Sequence, residues 1–198
     1  LSEIMIAVNA GTADLNLLLI GAALILVGLG FKVAAVPFQM WTPDVYHGAP
    51  SAVTAFMAVG AKAAGFAALL RIFVAALPSL YQDLIPVLWM MAALTMIVGN
   101  LVAIAQSHIK RMLAYSSIAH AGYIFMALVT FGQEGLASDA VAAALFYLFS
   151  YAVTNFGTWA VVIALEKAEG KGLQLDDYAG LGNKYPGLAA AMLVFMLS

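Results

Sequence analysis

The sequence predicts an all-α membrane protein, a bundle of transmembrane helices with at least one broken helix. Three observations carry that reading. Of 198 residues, 65% are hydrophobic and 9% are charged, where a soluble domain carries about 25% charged residues. The apolar residues form continuous runs between short polar breaks, long enough for spanning helices and without the alternating ten-residue pattern of a membrane barrel. The first run also contains both Lys32 and Pro37. A net charge of −2 does not suit a nucleic-acid partner, so lipids are the expected surroundings. With no cysteine, the chain has no ligands for an iron–sulfur cluster or a thiolate metal site and cannot form a disulfide.

Spans are expected at about 15–45, 50–76, 84–106, 110–131 and 139–166, with a further one starting near 185, all within one transmembrane domain. Leu1 to Ala10 lacks the basic start of a signal peptide, and the last run, 187–198, is about half of the ~20 residues needed to cross a bilayer. We therefore expect an internal fragment of a longer protein. The first span, 31 residues over 15–45, would measure ~46 Å against ~30 Å of hydrocarbon. Proline has no amide donor and clashes with the carbonyl four residues earlier, that of Val33, so the helix should break beside Lys32. The break between the first two spans, Trp41 to Pro50, contains two more prolines and a glycine, which mark a turn.

Two lysines stand inside apolar runs, Lys32 in the first and Lys62 in the second. An ammonium near the bilayer centre costs about 2.5 kcal/mol or more, so such a residue usually faces a partner, water or an ion route. Small residues flank Lys62, Ala58 to Ala61 before it and Ala63 to Gly65 after it, and they allow neighbouring helices to approach closely. The fourth span carries Tyr115, Ser116, Ser117, His120 and Tyr123. Ser116 and His120 are four residues apart and share a helix face, and His120 titrates near neutral pH with the least adjustment. In the fifth span, Tyr147, Ser150, Tyr151, Thr154, Asn155 and Thr158 recur at steps of three and four. That stripe suits either interhelical hydrogen bonds or the hydrated wall of a proton path. No Asp or Glu lies in the interior of a complete span, away from its ends, so a carboxylate for either lysine must come from elsewhere.

Loop charges orient the bundle. Lys110, Arg111, Lys167, Lys171 and Lys184 fall on one side, and Asp83, Glu134 and Asp139 on the other. By the positive-inside rule the first side is cytoplasmic, or matrix in a mitochondrion. Arg71, near the outer end of the second span, can snorkel to the interface.

Three long motifs resemble the antiporter-like membrane subunits of respiratory complex I. They are Gly28 to Pro50 (GLGFKVAAVPFQMWTPDVYHGAP), Ala61 to Phe66 (AKAAGF), and Gly99-Asn100 leading to Ile109–Tyr123 (IKRMLAYSSIAHAGY). The Thr-Pro-Asp-Val-Tyr loop is most similar to the N-type (chain 2) branch. The L and M types and the cation/proton antiporters usually read Leu-Pro-Asp-Ala there. The resemblance covers about residues 15–198 and implies an antiporter-like fold in which the six segments are the seventh to twelfth helices. It implies that Lys32 is the lysine paired with a fifth-helix glutamate, that Lys62 is the connecting lysine, and that His120 lies on the central polar axis. Ser116, Tyr123, Tyr151, Thr154 and Asn155 would line the path, and Pro37 would mark the helix break. Asp44 and His47 would lie near a cytoplasmic channel mouth, although Asp44 equally suits loop capping.

The expected function is proton translocation driven by quinone reduction elsewhere in a proton-pumping NADH:quinone oxidoreductase. No cofactor or metal is expected in this chain; NADH, FMN, iron–sulfur clusters and quinone would belong to other subunits. Implied partners are the other membrane-arm subunits, of M type and of the small K and J types. The implied location is a bacterial plasma membrane, with the mitochondrial inner membrane as the alternative. Two other functions suit the same residues: a cation/proton antiporter subunit, and a structural subunit whose lysines form static ion pairs.

Overall fold

In the computed structural model, residues 6, 8, 14–77, 80–131, 135–170 and 172–197 are described. Two of the loop charges that orient the bundle, Glu134 and Lys171, lie outside them, as do most of Leu1–Ala10 and the loop positions 78, 79, 132 and 133. The described residues are overwhelmingly helical. Helix α1 is Leu15–Val33, α2 is Trp41–Gly48, α3 is Ser51–Ala76 and α4 is Tyr81–Ile104. Helix α5 is Ile109–Thr130, α6 is Ala137–Glu169, α7 is Leu181–Lys184 and α8 is Pro186–Leu197. All but α2, α7 and α8 are long and apolar enough to cross a membrane.

Asp14 opens α1 by accepting hydrogen bonds from the Asn16 and Leu17 amides at 2.9 and 3.3 Å, the usual way to satisfy orphan donors at a helix start. The other end of α1 is the break. Ala34 adopts a left-handed conformation (φ 64°, ψ 40°), and residues 34–40, including Pro37, leave the helix before α2 begins. The loose backbone groups find partners. The Ala35 amide donates to the Gly30 carbonyl at 2.8 Å, and the Trp41 indole donates to the Phe31 carbonyl at 2.9 Å. The Val36 amide donates to the fully buried Thr95 hydroxyl of α4, at 2.9 Å. Non-helical backbone survives at membrane depth only when protein or water satisfies it in this way.

Helix α3 alternates between two windings. It is α-helical at Ser51–Phe56 and Lys62–Leu69, and π-helical at Met57–Ala61, immediately before Lys62, and at Leu70–Ala76. Each extra residue in a turn rotates the rest of the helix by ~100° relative to an uninterrupted α-helix, so the first π segment sets the direction of Lys62.

Packing depends on small residues. A Cβ placed on Gly99 would lie 2.6 Å from the Ala119 amide nitrogen, and one on Gly122 would lie 2.8 Å from the Met96 amide nitrogen. Helices α4 and α5 therefore touch backbone to backbone, as glycine allows in membrane bundles. The main core gathers around Phe66, Leu69, Phe73, Leu88, Phe125 and Leu128. A second cluster, with Tyr46, Ala58, Ile109, Leu113, Trp159 and Val162, joins α2, α3, α5 and α6.

Candidate functional site

Lys62 is 3% exposed and points between α5 and α6. Its Nζ donates to the Ser117 hydroxyl at 2.7 Å and also to the Ser117 carbonyl. Tyr151 donates its own hydroxyl to the same Ser117 Oγ at 2.9 Å, and the Lys62 nitrogen lies 5.6 Å from the centre of the Tyr151 ring. One serine hydroxyl therefore joins three helices, α3, α5 and α6. Lys62 forms no ion pair among the described residues, and neutral hydroxyl and carbonyl oxygens solvate its nitrogen in place of a carboxylate.

His120 stands three residues beyond Ser117 on α5. Its Nδ1 shares a 2.7 Å hydrogen bond with the Tyr147 hydroxyl. Its ring centre lies 5.0 Å from that of Tyr151 and 5.7 Å from that of Tyr123. Tyr151 is thus the ring between Lys62 and His120, touching both but hydrogen-bonded to Ser117. A cavity lined by His120, Tyr147, Ser150, Tyr151 and Thr154 opens beside this pair. Protons could cross from one hydrogen-bonded group to the other through water there, since hydroxyls orient water without titrating near pH 7.

The remaining residues singled out from the sequence divide in two. Ser116, Tyr123, Tyr151, Thr154 and Asn155 share a second cavity with His120. In it the Tyr123 hydroxyl accepts from Asn100 at 3.0 Å, and the buried Asn155 Oδ1 has no protein partner among the described residues. Such an atom suits an ordered water. Lys32, Asp44 and His47 lie apart from this group. Lys32, which its apolar run carries into the membrane, is not buried within this chain: it is exposed on the chain's surface, with no hydrogen-bond or ion-pair partner among the described residues. Its position next to the end of α1 turns it outward, while its stem runs along Gly65 of α3, where a Cβ would lie 3.5 Å from Lys32 Cγ. Asp44 accepts from the Arg111 guanidinium at 2.7 Å, tying α2 to the start of α5. His47 packs against His108 with ring centres 4.2 Å apart and ring planes tilted by 45°. Close by, Lys110 donates to the Ala49 carbonyl at 3.1 Å and pairs with Glu166 at 3.7 Å. Lys110 and Arg111, two of the basic residues that signal orientation, also bind α2, α5 and α6 together at that end.

Sequence reasoning did not single out Ser117 or Tyr147 as members of the site, nor Tyr46 as part of the buried cluster beside it. Ser117 and Tyr147 stood inside polar stripes, and only their neighbours across the bundle distinguish them. Tyr46 stood in a turn, and its spacing gives no sign that it reaches α5.

The site can be compared with known proteins. The NADH-quinone oxidoreductase subunit N of Chloroflexus aggregans is 50% identical over 194 residues, 97% of this chain and 39% of that protein. The chain spans well under half the length of such relatives. Among solved structures, a chain of the respiratory complex I from Thermus thermophilus with bound aureothin is 43% identical with a TM-score of 0.67, over 87% of this chain and 36% of that one. A chain of the Mrp complex from Dietzia sp. DQ12-45-1b shares the fold at a TM-score of 0.77 and 23% identity, over 89% of this chain and 32% of that one. Since the model of the NADH:quinone oxidoreductase/Mrp antiporter transmembrane family matches residues 1–198 throughout, the chain belongs to that family of integral membrane proteins.

Proposed function

We propose that this chain is part of a proton-translocating membrane-arm subunit of NADH:quinone oxidoreductase, in which Lys62 and His120 exchange protons as charge shifts along the arm. The observation that carries this reading is the Lys62 site: a buried amine held by neutral hydroxyl and carbonyl groups, one tyrosine ring away from a histidine beside a cavity. Because no fixed carboxylate neutralises it within the described residues, a change in nearby charge can alter its proton affinity. Lys32, facing outward beside the helix break, is suited to a carboxylate on a neighbouring segment. NADH, FMN, iron–sulfur clusters and quinone are assigned to other subunits. The partners proposed are M-type and small K- and J-type membrane-arm subunits, in a bacterial plasma membrane.

The test uses the complete complex in sealed vesicles. Lys62→Ala is expected to assemble normally and to lose most quinone-linked proton pumping, with a smaller loss in Lys32→Ala. Normal pumping by both variants would sink the reading. Loss of assembly in both would favour static structural ion pairs. The family's Mrp antiporter branch supports a second reading, exchange of sodium or potassium for protons; sodium-dependent proton movement without quinone would mark it.

A further inference from the structure

We propose that Tyr147 is a positioning residue that fixes which nitrogen of His120 exchanges protons. The proposal rests on the proton-translocation reading above and specifies the atom of His120 that acts in it. Three tyrosine rings surround the imidazole, those of Tyr151, Tyr123 and Tyr147, with centres 5.0, 5.7 and 6.0 Å from its own. Two of them spend their hydroxyls elsewhere: Tyr151 donates to Ser117, and Tyr123 accepts from Asn100. Among the described residues only Tyr147 forms a hydrogen bond with the histidine, at Nδ1 over 2.7 Å.

A histidine ring is commonly held at one nitrogen by a carboxylate or a backbone carbonyl, and that bond decides the state of the other nitrogen. Here a phenol takes that place. No carboxylate pairs with the ring among the described residues. The other ionisable groups facing it are Tyr123 of α5 and Tyr151 of α6, with Lys62 of α3 beyond Ser117, while α4 contributes Asn100 through Tyr123. The surrounding space makes the choice of nitrogen matter. His120, Tyr151 and Thr154 line both neighbouring cavities, one with Tyr147 and Ser150 and the other with Ser116 and Asn155, so they stand between the two. With Nδ1 tied to Tyr147, Nε2 is left for the second cavity. In the neutral ring Nδ1–H donates to the Tyr147 oxygen, and Nε2 keeps its lone pair. A water in the second cavity can donate one hydrogen to Nε2 and the other to the buried Asn155 Oδ1, which has no protein partner among the described residues. When a proton reaches that water, Nε2 takes it and the ring becomes imidazolium. The N–H bond formed there is the one that breaks on release, and Nδ1 and Tyr147 keep their hydrogens throughout.

The experiment is Tyr147→Phe in the complete complex in sealed vesicles, alongside Lys62→Ala and His120→Leu. Phenylalanine keeps the ring and removes only the hydroxyl. The expected result is normal assembly and a loss of pumping of about fivefold, the factor that one ordinary hydrogen bond represents, with the pH profile of pumping displaced by about half a unit. A fall in pumping with the profile unmoved would leave Tyr147 a packing role and overturn the proposal. Unchanged pumping and an unchanged profile in Tyr147→Phe, with pumping lost in Lys62→Ala and His120→Leu, would overturn it too, and it alone. Normal pumping in Lys62→Ala or His120→Leu would instead overturn the reading it rests on. If Tyr147→Phe does not assemble, nitrogen NMR of the intact complex with isotope-labelled histidine decides the matter, the His120 signals being those lost in His120→Leu. The neutral ring carries its hydrogen on Nδ1, or the proposal is wrong.

Discussion

The two membrane lysines meet the same problem in opposite ways. Lys62 is enclosed: two helices besides its own supply Ser117 and Tyr151 around its nitrogen, and the residue is 3% exposed. Lys32 is open, next to the last residue of α1, with its stem against Gly65 and the residue exposed on the chain's surface. The backbone beside each is irregular, but in different senses. A π segment rotates Lys62 inward while keeping the helix continuous, whereas a left-handed Ala34 ends the helix at Lys32 and frees residues 34–40 for other contacts. A charge inside a membrane can be accommodated by polar groups brought to it, or by a backbone that stops and turns it outward.

The largest effect should come from attacking the enclosed site. Ser117→Val removes the hydroxyl shared by Lys62 and Tyr151 and leaves a buried lysine with the carbonyl alone. Loss of one partner of a buried charged group costs about 3 kcal/mol, which should appear as a clear drop in the thermal stability of the complete complex. A drop no larger than that of Ser116→Val, which alters a cavity-lining serine, would refute the account of Ser117 as the hub.

The open site should respond less and more locally. Thr95→Val removes the buried acceptor for the Val36 amide, at a cost of about 1–3 kcal/mol for an orphaned donor. Amide exchange should quicken at residues 34–40 while Lys62 and its neighbours keep their protection. Equal quickening around Ser117 would mean that the two regions are not separately held.

Acidity should act on the junction between them. His108 has its pKa lowered by burial, and further by His47, Lys110 and Arg111, with Glu166 opposing. A histidine whose folded pKa lies below its unfolded one contributes full stability above the unfolded value of about 6.5 and loses it as pH falls toward the folded value. The contact of α2 with the start of α5 should therefore loosen below about pH 6.5, seen as faster exchange in α2. In His108→Gln that pH dependence should shrink; if it is unchanged, another group is responsible.

Asp44→Asn should have the smallest effect. The Asp44–Arg111 pair is solvent-exposed on the Asp44 side, and such pairs are worth about 1 kcal/mol or less, falling further with salt. A loss of stability well beyond that in calorimetry would show that the pair carries more of the α2 attachment than its exposure implies.

Much of the contrast between the two lysines was legible in the sequence, but only as positions. The helical class followed from apolar runs that cannot satisfy their backbone in any other way inside lipid. A break near Lys32 followed from Pro37, whose ring and missing amide disrupt the preceding turn. The structure starts that break three residues before the proline, at Ala34, and closes it with Trp41 and Thr95. Neither closing partner was legible, because Thr95 lies 59 residues from Val36 along the chain. Lys62, His120 and the tyrosine stripe were visible as residue types at helical spacing. The exposure of Lys32 was not, since hydropathy cannot tell an inward-facing lysine from one turned toward a neighbour.

The sequence by itself determined which segments are helical and which polar residues they carry into the membrane. Both come from local terms: backbone satisfaction, proline geometry and the length of each apolar run. The tertiary structure alone decided that Ser117 rather than Ser116 holds Lys62, that Tyr46 packs into the cluster of α3, α5 and α6, and that Asp44 and His47 serve α2 attachments. Those outcomes depend on the π segment before Lys62 and on the glycine contacts that set how closely the helices approach. Rotation and spacing between helices belong to the packed bundle, and no single helix encodes them.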